Sequence, residues 1–392
     1  MNRNRTNITT LEGVNSYSYN SNNWLVAVTY PDSRTQDFTY DPVGNRVQLA
    51  DSGIGVSPVL YSFDAANRMQ SDIAGTTTNA YSFDGAGRLT NQTVNLQQRS
   101  YAYDFRSQMT NLTDTNSATG AYAFDSDGNR IVEAAVSGGS FRYVYDGPNV
   151  VLELTNSLVQ AVYIHGLGID QPIERIQFIS GVSDGRHVYH TDALGSVWAM
   201  TDDLQAVAKS YSYEAFGKIR SESGTGLLFP NRYTYTARES IGDSAGLYYY
   251  RWRVMSPNVG RFTSEDPLGF VDGPNRYLYA KGMPVIFFDS NGLKVTWLCT
   301  INDSDVPACQ KEVFNNCINS NAGWPNIGGW WGGLSSGITA GLVCSWAGLA
   351  AVPCGLIGGG ISLVGSYLGQ CQTAQIIDNH CKSEAAANSC CN

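Results

Sequence analysis

The feature that most constrains this chain is an aromatic–aspartate pair that returns every 20 to 23 residues. The series runs Tyr19-Asn20, Tyr40-Asp41, Phe63-Asp64, Phe83-Asp84, Tyr103-Asp104, Phe124-Asp125 and Tyr145-Asp146. Most pairs carry another aromatic two places earlier: Tyr17, Phe38, Tyr61, Tyr81, Tyr101, Tyr122 and Tyr143. Several continue with Gly and Arg, as in Tyr40 to Val47, Phe83 to Leu89 and Phe124 to Ile131. A period of this length marks a supersecondary unit that buries its apolar face only by stacking on its neighbours.

The residues of one unit say what it is. Aromatics at i and i+2 of a strand project on the same face. Asp then ends the strand, because its carboxylate accepts a backbone N–H two residues on. Gly44, Gly87 and Gly128 supply a positive φ that other residues resist. Arg or Asn opens the returning strand. Each unit is therefore a β-hairpin, stacked units make a long sheet, and the paired Tyr and Asp residues are structural. A sugar-binding aromatic ladder is the sharper alternative; the sequence does not say which way the face points, and no site is placed there.

Composition excludes some partners. The formal net charge is −9, without a basic stripe, which argues against nucleic-acid binding. Charged residues make up only 15% of the chain while Gly reaches 41 and Tyr 23, a balance that suits β-structure with many tight turns. The first residues hold no apolar run, so no secretory signal peptide is visible. Repeats begin almost at once, so a piece of a longer chain is expected.

Beyond the seventh pair come three further stretches: Tyr189 to Asp202, Tyr211 to Gly224, and Arg232 to Leu293. Together with the YD pairs they resemble the Rhs/YD-repeat proteins and the Rhs-associated core, over roughly residues 15 to 293. The resemblance implies a mainly β fold, an Rhs-type shell of YD hairpins over residues 1–187 and a core over 188–293. It also implies that the core is an aspartyl autoprotease cutting after an Asp-x-x-Gly-Leu stretch. Carried over residue by residue, the family's arginine falls on Arg253 and its two catalytic carboxylates on Asp266 and Asp289. The cut falls between Leu293 and Lys294. One departure is Ser290, where the family commonly has Pro. The implied partners are the rest of an Rhs shell and an immunity protein, and the implied location is secreted or cell-surface.

The chemistry fits independently. Two carboxylates held close together do not both ionise easily. The ionised one activates water and the protonated one polarises a carbonyl, while Arg253 holds an acid or the developing oxyanion. A purely structural alternative also stands, in which Asp266 makes a turn at Pro267 and Asp289 caps Ser290-Asn291-Gly292. His187, His190 and His165 read as structural, and neither a metal nor a cofactor is expected.

Residues 294–392 share nothing with the repeats. From Val313 to Ile377 there is no Asp, Glu, Lys or Arg. Two small-residue apolar stretches, Gly337 to Val352 and Gly355 to Gly369, are separated by Pro353-Cys354. They suggest a helical hairpin that meets lipid through residues 330–369, though each is short for a full span. A buried hairpin in a small disulfide-bonded domain and a plain anchor are the alternatives. All nine cysteines fall here: Cys299, Cys309, Cys317, Cys344, Cys354, Cys371, Cys381, Cys390 and Cys391. No Cys-x-x-Cys pair occurs, so disulfides are expected rather than zinc. Two functions thus remain: a shell that cuts itself to free a membrane-active effector, and a surface adhesion or glycan-binding protein with an anchoring tail.

Overall fold

A computed structural model of the chain describes residues 4–297, except 54, 56, 95–96, 116, 136–138, 225–230 and 242–245. The described residues belong to one unit, Met1–Leu298. A single antiparallel sheet of 21 strands runs from Asn7 to Ser223. Each strand pairs with its neighbours in sequence, so the sheet is an unbroken meander. The mainly β expectation is borne out. The hairpins continue past residue 188, through Asp192 and Asp202, to the last hairpin at Glu214.

The repeat chemistry is as the sequence suggests. In the turn after Tyr40, Asp41 Oδ1 accepts the N–H of Val43 at 3.0 Å and of Asn45 at 2.8 Å. Asp64, Asp84, Asp104 and Asp125 repeat this i+2, i+4 pattern, as do Asp192 and Asp202. The residue three past each Asp takes positive φ, as at Gly44 (φ 86°) and Asn67 (φ 63°). The seventh pair departs from the pattern: Asp146 stays in its strand opposite Asn149, and Gly147 makes a tighter turn.

Pairing register slips at the residue before each of these turns, an aromatic at Tyr40, Phe63, Phe83, Tyr103 and Phe124 and a threonine at Thr191 and Thr201. Such bulges bend a strand and increase its twist. The sheet curls back on itself: Glu214, in the last hairpin, pairs with Arg34 at 2.7 Å, and Arg220 with Asp32 at 2.8 Å.

The first aromatic is buried in six of the seven units, Tyr81 being partly exposed. Tyr17, Phe38, Tyr61, Tyr101, Tyr122 and Tyr143 are each at most 9% exposed and build the core rather than an outer platform. Burying one such ring contributes roughly 1.5–3 kcal/mol. The second aromatic, where it is Tyr, adds a tie. Its hydroxyl donates to a carbonyl about one hairpin back: Tyr40 to Leu25 at 2.7 Å, Tyr103 to Leu89 at 2.8 Å and Tyr145 to Arg130 at 3.0 Å. His165 stands at the same place, with Nε2 2.7 Å from the Val150 oxygen, which explains a histidine in an apolar strand.

Residues 231–289 pack against the buried face of this sheet. They include an antiparallel sheet, Glu239–Ile241, Leu247–Tyr250, Arg253–Ser256 and Arg261–Phe262. They dock on the repeat turns through the carbonyl of the positive-φ residue. Tyr277, Tyr249 and Tyr248 donate hydroxyls at 2.8 Å to Gly87, Gly128 and Gly217, and Arg261 donates to Asn67 at 2.5 Å. The turns that close the hairpins thus also align the segment that carries the candidate acids. Last comes a small hairpin, Phe287–Asp289 paired with Val295–Trp297.

Candidate functional site

Arg253, Asp266 and Asp289 lie far apart in sequence and meet in space. Arg253 is held by the strand Arg253–Ser256, whose neighbour Arg261–Phe262 leads directly into Asp266. Asp289 ends the first strand of the last hairpin. Nη2 of Arg253 lies 3.0 Å from Asp266 Oδ2 and 3.2 Å from Asp289 Oδ2. All three groups are buried, at 3%, 5% and 0% exposure, so the single guanidinium compensates two carboxylates away from water. Its plane also lies over the Phe262 ring, 3.6 Å from the centroid.

The electrostatics follow from that burial. Desolvation pushes the Asp289 and Asp266 carboxyls above the usual carboxylate range, and Arg253 only partly offsets it. Burial likewise lowers the Arg253 pKa, against the pull of Asp289 and Asp266. Each carboxyl that meets this guanidinium is therefore easier to protonate than a carboxylate in water.

The loop after Asp289 is fixed through its carbonyls. Arg251 donates Nη1 to the Ser290 oxygen at 2.9 Å, the Trp252 N–H donates to Asn291 at 3.2 Å, and Arg253 Nε donates to Gly292 at 2.5 Å. Three successive residues thus read three successive carbonyls and stop one short of Leu293. On the other side, Asp289 Oδ1 accepts the N–H groups of Asn291 (3.2 Å), Gly292 (2.8 Å) and Leu293 (3.3 Å). Gly292 sits at φ 73°, and a Cβ there would fall 2.6 Å from the Tyr250 oxygen. Only glycine permits this approach.

The turn roles weighed from sequence are present too. Asp266 Oδ1 accepts the Leu268 N–H at 2.8 Å, and Asp289 caps its loop. They coexist with the shared guanidinium. Sequence reasoning missed three participants. The Arg276 carbonyl anchors both the Asp266 N–H (3.0 Å) and Arg253 Nη1 (3.2 Å). Asp272 Oδ2 accepts the N–H of Val295 at 2.9 Å, just past Lys294. Asp170 reaches in from the large sheet to Arg251 at 2.6 Å. Of these, Asp272 alone carried a signal, as another acid between Asp266 and Asp289.

Among the described residues no cluster of His, Cys, Asp and Glu is arranged to hold a metal. His190 bonds Thr201 at 3.0 Å and rests beside Trp198. The cysteines from Cys299 to Cys391 and the apolar stretch 330–369 lie outside the described residues.

Comparison with known proteins agrees with this architecture. The teneurin YD-shell family matches residues 2–272, and the chain belongs to that family of YD-repeat shell proteins. Over 289 residues it is 29% identical to the tRNA3(Ser)-specific nuclease WapA of Bacillus spizizenii, covering 71% of this chain and 12% of that protein. It is 32% identical over 108 residues to the toxin protein Tse5 of Pseudomonas aeruginosa, covering 27% of this chain and 8% of the relative. The chain therefore spans a small part of the curated relatives it matches. Among solved structures it is similar to the Tc holotoxin pore of Photorhabdus luminescens carrying a TccC3 mutation, at 17% identity and a TM-score of 0.42, covering 72% of this chain and 18% of that one.

Proposed function

We propose that the chain is a shell-and-core segment of an Rhs-type toxin that cuts itself between Leu293 and Lys294. The observation that supports this reading is the buried meeting of Asp266 and Asp289 on one Arg253 nitrogen, with the Gly292 carbonyl on the same guanidinium. The ionised carboxylate takes a proton from water as the water oxygen adds to the Leu293 carbonyl carbon. The protonated carboxyl polarises the carbonyl oxygen, and Arg253 stabilises the charge that develops. The C–N bond then breaks and the proton passes to the Lys294 nitrogen. One water is consumed, and one carboxyl and one amine are formed.

By the same reading the chain divides into YD repeats (1–187), core (188–293) and effector (294–392), with the effector's cysteines oxidised. Its apolar stretch 330–369 takes lipid as partner, an immunity protein neutralises it, and further shell segments enclose it. Secretion or surface display fits the toxin names of its relatives, Tse5 among them. The deciding experiment is the intact mass of the purified 392-residue chain beside Asp266→Asn. Two fragments meeting at Leu293–Lys294, lost in the variant, support the autoprotease; one uncut species in both overturns it. Dye leakage from vesicles by the oxidised peptide 294–392 tests the effector separately, and its absence across lipid compositions overturns the membrane part.

A further inference from the structure

We propose that Asp170 is a positioning residue for this self-cleavage, coupling the folded repeat sheet to the strand that is cut; the inference rests on the autoprotease reading. Asp170 belongs to the loop between strands Leu158–His165 and Pro172–Ile179, in the large sheet and away from the acid pair. It is only 6% exposed at φ 51°, and its N–H is held by Asn149 Oδ1 at 2.8 Å. Its carboxylate grips Arg251 with both oxygens, at 2.6 and 2.8 Å, and also pairs with Arg238. Arg251 and Arg238 both donate to a single acceptor, the Ser290 carbonyl. Arg251 further donates to the Pro148 carbonyl at 2.8 Å, in the neighbouring turn of the same sheet.

The chain of contacts is thus sheet loop, Asp170, two guanidiniums, Ser290. Ser290 directly follows Asp289 and opens the loop that ends at the bond to be cut. Without Asp170, Arg238 and Arg251 lose the carboxylate they share and keep carbonyl acceptors in its place, Thr236 for Arg238 and Pro148 for Arg251. Asp170 touches neither the acid pair nor the scissile peptide, so it acts through the loop. The arrangement also ties cutting to the sheet, because the Ser290 end of the loop is held through a turn between strands more than a hundred residues earlier.

The test compares the full chain with Asp170→Asn and Arg251→Met. Intact-mass time courses give cleavage rates across pH. Hydrogen exchange at the Asn291, Gly292 and Leu293 amides is followed in an Asp266→Asn background that stays whole. We expect both variants to cut on the order of 10- to 100-fold more slowly with the pH midpoint unmoved, and those amides alone to exchange faster. If Asp170→Asn fails to fold, judged by loss of its thermal transition, Arg251→Met carries the test. Parental cleavage rates, or unchanged exchange at the three amides, overturn the proposal. If the parent chain is never cut, the autoprotease reading falls, and the exchange arm alone decides whether Asp170 orders the loop.

Discussion

The Gly292 carbonyl oxygen lies 2.5 Å from Nε of Arg253, so the side chain that bridges both acids also grips the residue next to the proposed cut. Gly292 reaches this place only because it has no side chain. Gly292→Ala puts a methyl against the Tyr250 carbonyl at a positive φ, which costs about 1–3 kcal/mol of local strain. Cleavage in this variant should fall sharply while the melting transition of the sheet changes little. Fragment mass and calorimetry on the same sample check both halves.

Asp289→Asn keeps the size of the side chain and removes its charge. General acid–base groups contribute about 10²–10⁴-fold, so the cutting rate should drop by that order. The fold should survive, since the amide oxygen still accepts the loop N–H groups. A variant cut as fast as its parent would remove Asp289 from the mechanism.

Acidity separates the site from the rest of the molecule. Burial raises the pKa of Asp266 and of Asp289, so their ionisation destabilises the fold; the stability they allow is present at low pH and lost as pH rises through the raised values. Asp51, Asp64, Asp84 and Asp170 behave oppositely. Burial opposes their ionisation, but nearby arginines, joined by backbone N–H groups at Asp51, Asp64 and Asp84, outweigh it and hold them below the usual range. The stability they supply is lost only as pH falls below about 4. Self-cleavage should therefore speed up from neutral pH into mild acid and fail once the sheet's own carboxylates protonate. A rate profile flat from neutral pH to mild acid would contradict a shared proton.

Tyr40→Phe deletes the hydroxyl that ties one hairpin to the Leu25 carbonyl. The loss should be about 0.5–1.5 kcal/mol, read by denaturant unfolding. Phe63, Phe83 and Phe124 already lack the tie, so the reverse change Phe124→Tyr tests whether the hydroxyl stabilises a unit that evolved without it.

How much of this was legible depended on what carries the information. The hairpins were written in side chains: an aromatic facing in, an Asp to cap, a residue free to take positive φ. The acid pair and its arginine followed from the family resemblance, and their convergence in space is a property of the fold. The carbonyl series at Ser290, Asn291 and Gly292 left no trace, because a main-chain oxygen looks the same under every residue. Asp170 stayed hidden behind a separation of 81 residues from Arg251. His165 read as structural, but only the fold shows it standing in for a repeat tyrosine.

The last hairpin has a consequence for the proposed cleavage. The bond between Leu293 and Lys294 lies in its connection, while Phe287, Phe288 and Asp289 pair with Trp297, Thr296 and Val295. A cut there nicks a paired ribbon without parting it. Hydrolysis and departure would then be separate events, the first timed by chemistry and the second by whatever force peels one short strand from the other.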